Sequence, residues 1–295
     1  MKVFVAGAGG AIGRRLLPEL IRAGHQVTGM TRSARNAERI RAAGATPAVA
    51  DALDKDAVKR AVLQAAPEAV IHELTALPAN MDLRRLETEV AQTNRLRTEG
   101  LDNLIAAAGE TGCRRFIAQS FLLWLHAREG GPIKTEQDPV DPNPPAAFRG
   151  AAEALRYLER TVIGLQGMTG IALRYGAFYG PGTAFGAGGA MLEQVRKRRV
   201  PVIDGGTGTW SFIHIDDAAR ATVKALERGA PGVYNIVDDE PAPVFRMAAG
   251  ARRCRRRQSA FPNTRMARAP AGRRSRNRRD AGSARRVQRE SETGA

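Results

Sequence analysis

The stretch that decides the fold consists of MKVFVA at residues 1–6, GAGGAIG at residues 7–13 and RRLLPEL at residues 14–20. The first segment is a short apolar run of the kind that forms a parallel strand buried on both faces. The last segment has the apolar spacing of an amphipathic helix. A strand, a glycine turn and a helix in this order present backbone N–H groups and the positive end of a helix dipole to a phosphate. The stretch therefore predicts a dinucleotide site.

The glycines of this turn have separate expected roles. Gly7 permits a tight turn, Gly10 lets the backbone approach a pyrophosphate, and Gly13 lets the helix pack closely on the strand. A flexible surface turn is the alternative interpretation, and the position between a strand and a helix favours cofactor binding over it. The residues of the turn expected to contact the cofactor are Gly7, Gly9, Gly10, Ala11, Ile12 and Gly13.

The end of the second predicted strand bears on the choice of cofactor. This strand covers residues 26–30 and leads into TRSAR at residues 31–35. About twenty residues past the glycines, an acidic side chain would bind a ribose 2′-hydroxyl, but no acid is present there. Arg32 and Arg35 are present instead, and guanidinium groups suit a 2′-phosphate. The pattern favours NADP over NAD, although two arginines opening a solvated helix would look the same.

Strand and helix patterns alternate along the next two hundred residues. Further strands are predicted at residues 46–50, 69–72, 115–119, 171–174 and 232–237. Helices are predicted from Asp54 (a candidate N-cap) to 64, at about 82–108, 148–163 and 190–199, and after a cap at Asp216 or Asp217. This alternation predicts an α/β fold with a Rossmann-type, doubly wound parallel sheet whose ligand lies at the carboxyl ends of the strands. Cofactor contacts are therefore also expected from Asp51, which could reach adenine, and from Leu74, Thr75 and Ala76.

Composition narrows the class of protein. The 295 residues include two cysteines, Cys113 and Cys254, which form neither a disulfide framework nor a metal-ligand pattern. A reducing, cytoplasmic setting is the simple expectation, and no metal is expected. No apolar run reaches the length of a membrane span, and the N-terminus lacks the apolar stretch of a signal peptide. No membrane partner is therefore expected.

The positive charge is concentrated in the C-terminal segment. Residues 246–295 contain 16 arginines and three acids and so carry +13 of the formal net charge of +16, leaving +3 for residues 1–245. This segment shows no apolar periodicity, so we expect a disordered tail. An arginine-rich arm for nucleic acid is one interpretation, but the segment lacks lysine and has little aromatic content. Nucleic-acid binding is therefore not favoured. A frameshift near residues 245–250 of a GC-rich gene is the hypothesis that fits the composition better, and resequencing the locus tests it.

Four segments in a fixed order resemble the extended short-chain dehydrogenase/reductase family, the NAD(P)-dependent epimerases, dehydratases and reductases. They are the turn at 7–13, Asp51, LRYGAFYGPG at 173–182 and SFIHIDDAA at 211–219. The resemblance covers about residues 1–245 and implies a Rossmann domain with a reduced substrate lobe in loops at about 175–212. It also implies substrate contacts from Arg174, Tyr179 and Trp210. A role for His214 in packing is more common in such a motif than a functional one. Asn94 matches a structural asparagine of the family.

The sequence departs from the family pattern at the catalytic pair. The family uses a Tyr-x-x-x-Lys motif, in which tyrosinate moves a proton and the lysine lowers its pKa. No such motif exists here, and Phe148 and Ala152 occupy the expected positions. Ser120, at or one residue before the family's catalytic serine, is the remaining catalytic candidate.

These features support two main hypotheses. The first is an atypical enzyme of the epimerase, dehydratase or reductase type that transfers a hydride to or from a sugar- or alcohol-like small molecule. The second is a non-catalytic NADP sensor or scaffold, because the Tyr and Lys are absent. A homodimer through the helices near 82–108 and 148–163 is what the family resemblance implies.

Overall fold

The computed structural model describes residues 1–78, 81–82, 85–122, 126–127, 129–131, 133–197 and 209–243. The arginine-rich tail predicted at residues 246–295 lies outside these described residues. Eleven strands lie within them: β1 Lys2–Ala6, β2 Gln26–Thr31, β3 Thr46–Val49, β4 Ala69–His72, β5 Arg115–Phe121, β6 Thr169–Tyr175, β7 Ala177–Tyr179, β8 Thr209–Trp210, β9 Phe212–His214, β10 Gly232–Ile236 and β11 Ala242–Pro243.

Seven of these strands form one sheet in the order β10-β6-β5-β4-β1-β2-β3. Every neighbouring pair in this sheet is parallel. The strand order reverses at β1, which lies between β4 and β2. In a doubly wound sheet this reversal opens the crevice in which ligands bind. The predicted Rossmann-type sheet is confirmed, and its crevice lies directly after β1.

The helices of the described residues are α1 Gly13–Arg22, α2 Ala34–Ala42, α3 Lys55–Ala65, α4 Leu86–Arg97, α5 Glu99–Gly109, α6 Ala146–Ile163, α7 Ala190–Arg196 and α8 Ile215–Arg228. They cover both faces of the sheet. None of the helices described is long and apolar enough to cross a membrane.

Two separate hydrophobic clusters form the core, one on each face of the sheet. Alternate residues of β1 point to opposite faces, so Val3 and Val5 join one cluster while Phe4 and Ala6 join the other. The first cluster packs the sheet against α1 and α8, and the second packs it against α3, α5 and α6. This double burial explains why β1 is an almost uninterrupted apolar run.

Two predicted boundaries were wrong for identifiable physical reasons. The single helix predicted at about 82–108 is two helices, α4 and α5, because Thr98 leaves the helical dihedral range with φ −109° and ψ −84°. The predicted cap at Asp216 or Asp217 is also wrong. His214 caps α8, and its Nδ1 accepts from the backbone N–H of Asp216 at 3.3 Å. The two aspartates lie in the first turn, where their charge favours the helix dipole.

The cap predicted at Asp54 is confirmed, since its side chain accepts from the backbone N–H of Ala57 at 3.0 Å. The loop predicted after β6 contains one further strand, β7, which pairs in parallel with β9. Together β7 and β9 form a separate two-stranded sheet, and β7 begins two residues after the carboxyl end of β6.

Candidate functional site

The glycine turn after β1 is closed so tightly that two of its glycines admit no side chain. Gly7 has φ +95°, and a Cβ atom there would lie 2.5 Å from the carbonyl oxygen of Glu73. A Cβ atom on Gly13 would lie 2.4 Å from the carbonyl oxygen of Gly7. Helix α1 begins at Gly13, so its first N–H groups face the turn. The turn therefore has the close backbone approach and the helix end that a pyrophosphate needs.

One residue beside the turn was not predicted from the sequence. A Cβ atom on Gly9 would lie 2.6 Å from Nδ2 of Asn36, so the Asn36 amide rests directly against the turn. Ser33 caps α2 and accepts from the backbone N–H of Asn36 at 3.4 Å, which fixes that first turn of the helix. The sequence signal for this contact was Asn36 itself, which stands three residues after Ser33, the N-cap of α2.

The structure brings Arg32 and Asp51 together at the ends of β2 and β3. Nη1 of Arg32 lies 3.7 Å from Oδ2 of Asp51, and both side chains are about half exposed. Oδ1 of Asp51 accepts from the backbone N–H of Leu53 at 3.0 Å. Arg35 is exposed in the first turn of α2. A cation therefore faces solvent at the sheet edge where an adenosine ribose would lie.

The loop after β4 lies at the carboxyl end of the sheet, as do Arg32 and Asp51. The backbone N–H of Glu73 bonds the carbonyl of Ala6 at 2.8 Å, which joins the ends of β4 and β1. Leu74 and Ala76 are partly buried and Thr75 is exposed. The backbone N–H of Ala76 donates to Oγ1 of Thr93 on α4 at 3.0 Å. The three predicted residues thus lie in the loop that leads from β4 toward α4, and Ala76 is bonded to that helix.

A buried acid lies beside the turn. Glu73 is 3 % exposed, and burial raises the pKa of its carboxyl to about 8. Its Oε1 lies 3.2 Å from the hydroxyl of Tyr175, which lies 2.6 Å from Oγ1 of Thr222 on α8. Burial also raises the pKa of Tyr175. An acid that directly follows a buried strand was the sequence signal for this group, which sequence reasoning did not use.

Ser120 and Arg174, predicted as catalytic and substrate residues, meet at a second buried acid, Glu159 of α6. The Ser120 hydroxyl donates to Oε1 of Glu159 at 2.6 Å. Arg174 makes a bidentate ion pair with the same carboxylate, with both N···O distances at 2.7 Å. Arg174 and Glu159 are 5 % and 8 % exposed at their side chains. In this arrangement Ser120 and Arg174 join β5, β6 and α6.

Phe148 and Ala152 both lie on α6, Phe148 partly buried and Ala152 buried. Neither side chain carries a group that can transfer a proton. Asn94 lies against the same helix, since a Cβ atom on Gly150 would be 3.5 Å from its Nδ2.

Aromatic side chains gather around β7, β8 and β9. The rings of Trp210 and Phe185 are 6.4 Å apart, and those of Phe185 and Phe212 are 5.6 Å apart. Tyr179 meets the His214 ring edge-on at 5.1 Å. Burial, together with a hydrogen bond to Asp238, raises the pKa of Tyr179. The predicted substrate residues Tyr179 and Trp210 thus lie on two different small sheets, and the rings of Phe185 and Phe212 surround Trp210.

Helix α1 is tied to the loop that follows β7. Nη2 of Arg15 donates to the carbonyl of Pro181 at 3.1 Å, and its Nε lies 3.4 Å from Oδ1 of Asp216 on α8. A Cβ atom on Gly182 would lie 3.6 Å from Nη2 of Arg14. The helix that begins at the glycine turn therefore also holds the loop that follows β7.

Comparisons with known proteins find one matching family model and related reductases. The model of the NAD dependent epimerase/dehydratase family matches residues 3–237. The 3-diazoavenalumate denitrifying reductase of a Streptomyces species is 43% identical over 83% of this chain and 78% of its own length. A 4-hydroxy-2-methyl-3-oxo-4-farnesyl-3,4-dihydroquinoline-1-oxide ketoreductase of Stigmatella aurantiaca is 27% identical over 83% of this chain and 70% of its own.

Solved structures share the fold. The UDP-glucose 4-epimerase of Thermotoga maritima superposes with a TM-score of 0.69 at 20% identity, over 88% of this chain and 84% of its own. The UDP-glucose 4-epimerase of Thermus thermophilus, solved with NAD, gives a TM-score of 0.64 at 24% identity over 85% and 83% of the two chains.

Proposed function

Because the chain belongs to the NAD dependent epimerase/dehydratase family, we propose that it is a reductase that moves a hydride between a nicotinamide cofactor and a small sugar- or alcohol-like compound. The observation that carries the proposal is the glycine turn, where Gly7 and Gly13 leave no room for a Cβ atom. Two of the matched relatives are reductases by name. The cofactor, when bound, supplies the hydride, and the chain's own residues bind and orient it.

We propose that the preferred cofactor is NADP. Arg32 is held near Asp51 at 3.7 Å and is half exposed, so its guanidinium can turn toward a 2′-phosphate at small cost. Arg35, exposed on α2, adds a second cation to the same edge. Asn36, against Gly9, would hold the turn in place beside the ribose.

The substrate is proposed to bind against the loops between residues 175 and 212. Trp210 and Tyr179 are the expected contacts, and the rings around Trp210 suit a flat, unsaturated compound. The substrate named for the Streptomyces relative, 3-diazoavenalumate, makes diazo compounds one class to test. Arg174 is buried and paired with Glu159, so we assign it a positioning role.

Ser120 is the catalytic candidate, at the carboxyl end of β5. Its hydroxyl donates to Glu159, so a proton passed from Ser120 to a substrate would require that hydrogen bond to break. A Ser120→Ala variant distinguishes the two roles. A catalytic role predicts lost turnover with cofactor binding kept, whereas a positioning role alone predicts lower stability with turnover kept at temperatures where the variant is folded.

A second candidate function is a non-catalytic NADP-binding protein. The specific observation in its favour is that Phe148 and Ala152 replace the proton-transferring pair while the glycine turn is intact. Both candidate functions use the same cofactor site. They differ in whether the bound cofactor is consumed when a substrate is added.

The test is fluorescence titration of the full chain with NADPH and with NADH, followed by a turnover assay with sugar- and alcohol-like carbonyl compounds, aromatic ketones, quinones and diazo compounds. Binding of NADPH with consumption in the presence of one substrate supports the reductase. Binding without consumption across the panel supports the sensor.

Two glycine variants test whether the glycine turn is the cofactor site. Gly13→Ala is expected to abolish binding, because its Cβ would lie 2.4 Å from the carbonyl oxygen of Gly7. Gly109→Ala, where nothing lies within 4 Å of the added atom, is expected to bind like the wild type. Equal binding by both variants would contradict the assignment of the turn.

A further inference from the structure

Glu73 occupies an unusual place for an acid. It follows β4 directly, is 3 % exposed, and its carbonyl oxygen lies where a Cβ atom of Gly7 would have to be. Its side chain extends to Tyr175 of β6 and, through that hydroxyl, to Thr222 of α8. The residue therefore joins the glycine turn, the sheet and a helix on the far side of the first core cluster.

The carboxyl of Glu73 is buried with few hydrogen-bond donors around it. The Tyr175 hydroxyl donates to Oε1 of Glu73 at 3.2 Å, and either hydroxyl can be the donor at the 2.6 Å contact between Tyr175 and Thr222. An ionised carboxyl would therefore have one long hydrogen bond from a neutral hydroxyl to offset the loss of water around its charge.

Among the described residues, no cation offsets a negative charge on the carboxyl of Glu73. Its Oε2 has no hydrogen-bond partner in that part of the chain. The titratable group that faces the carboxyl is Tyr175, from β6, and the polar group from α8 is Thr222. The neighbouring His72 turns to the other face, where its Nε2 meets the carbonyl of Leu96 at 3.0 Å. Burial without a cation favours the neutral carboxyl, in agreement with the pKa of about 8.

We propose that Glu73 is a positioning residue for the dinucleotide and that it performs this role in its neutral form. The inference rests on the proposed cofactor site. Glu73 packs against the turn through its carbonyl oxygen, next to Gly7. A pyrophosphate at the turn would bring two negative charges close to this residue. An ionised Glu73 would add a third buried negative charge near this edge and would repel the pyrophosphate across a region of low dielectric. Cofactor binding and protonation of Glu73 are therefore thermodynamically linked.

The experiment measures NADH affinity of the full chain from pH 6 to about pH 9.5. NADH is used because it has no 2′-phosphate whose own ionisation would contribute. Wild-type affinity is expected to fall above about pH 8 by up to tenfold per pH unit, the limit for one linked proton. Glu73→Gln, which stays neutral, is expected to show no such fall. Glu87→Gln, at an exposed position on α4, is the matched control and should follow the wild type.

A parallel fall in the wild type and in Glu73→Gln would overturn the proposal. Should Glu73→Gln not fold, calorimetry of NADH binding to the wild type at pH 8.5 in two buffers of different ionisation enthalpy gives the answer. Uptake of a proton on binding supports the linkage, and no uptake refutes it. Absence of NADH and NADPH binding at every pH would refute the proposed function along with it. Binding without a proton would refute the role of Glu73 alone.

Discussion

Replacing Glu159 by Gln is the perturbation that most directly tests how the candidate site is held together. Both carboxylate oxygens are engaged, Oε1 by Ser120 and by Nε of Arg174, and Oε2 by Nη2 of Arg174. Glutamine removes the charge and one of the two acceptor oxygens while keeping the size of the side chain. Arg174, 5 % exposed, would then be a buried cation without an anion.

The expected cost is large because the ion pair is removed from solvent. Loss of one partner of a buried pair typically costs about 3–5 kcal/mol, since the other charge stays buried and uncompensated. Replacing both partners, as in Glu159→Leu with Arg174→Met, leaves no charge to desolvate. The free energy of unfolding of this double variant is therefore expected to lie within about 1–2 kcal/mol of the wild type. The effects of the two single replacements are thus not additive.

Urea unfolding of the full chain at pH 7, followed by circular dichroism, measures the effect. With a slope of roughly 1–3 kcal/mol per M, the loss of about 3–5 kcal/mol in Glu159→Gln should lower the midpoint by about 1–5 M. The matched control is Glu99→Gln, which breaks an Arg95–Glu99 pair of similar geometry that is more than half exposed. Solvent screens that pair, so its loss should shift the midpoint far less. A Glu159→Gln midpoint equal to that of the control would refute the reasoning.

Three further outcomes follow from the same structure. Ser120→Ala removes a hydrogen bond to a charged acceptor and should lower the free energy of unfolding by about 1.5–3 kcal/mol in the urea assay; lost turnover with cofactor binding kept would make Ser120 catalytic. Arg32→Ala should weaken NADPH binding by roughly tenfold or more and NADH binding much less, and equal losses for the two cofactors would contradict the NADP proposal. His214→Ala removes the cap of α8 and should cost about 0.5–2 kcal/mol of stability by thermal unfolding, while His214→Asn, which can also cap a helix, should recover much of it.

The parts of the fold that were predictable depend on short stretches of chain. The apolar run of β1 and the glycines after it are local signals, and both β1 and the turn lie where the sequence placed them. The absence of a Tyr-x-x-x-Lys motif is likewise visible without a structure. The end of α4 was missed because the pattern of apolar residues continues through Thr98, whose backbone departs from the helix.

The parts that were not predictable depend on pairs of residues far apart in the chain. Arg174 stands in a motif that resembles a substrate segment, and nothing near it indicates that Glu159 of α6 will bind it. Glu73 and Tyr175 are 102 residues apart, so neither could be assigned a partner from spacing. The sequence showed only that Arg174 and Glu73 stand in or directly after apolar strands. Such a position indicates that a buried charge or a buried polar group needs a hydrogen-bond partner elsewhere in the fold.

The contact between Arg15 and the carbonyl of Pro181 has a consequence for how this protein could acquire new specificity. A loop proposed to contact substrate can change freely only if nothing else depends on its backbone, and here Arg15, on the helix that begins at the glycine turn, is bonded to this loop. Arg15 also meets Asp216 of α8, so three segments share one guanidinium group. We therefore expect that exchange of this loop with that of a relative would keep the backbone of the loop in place only if α1 and the start of α8 were exchanged with it.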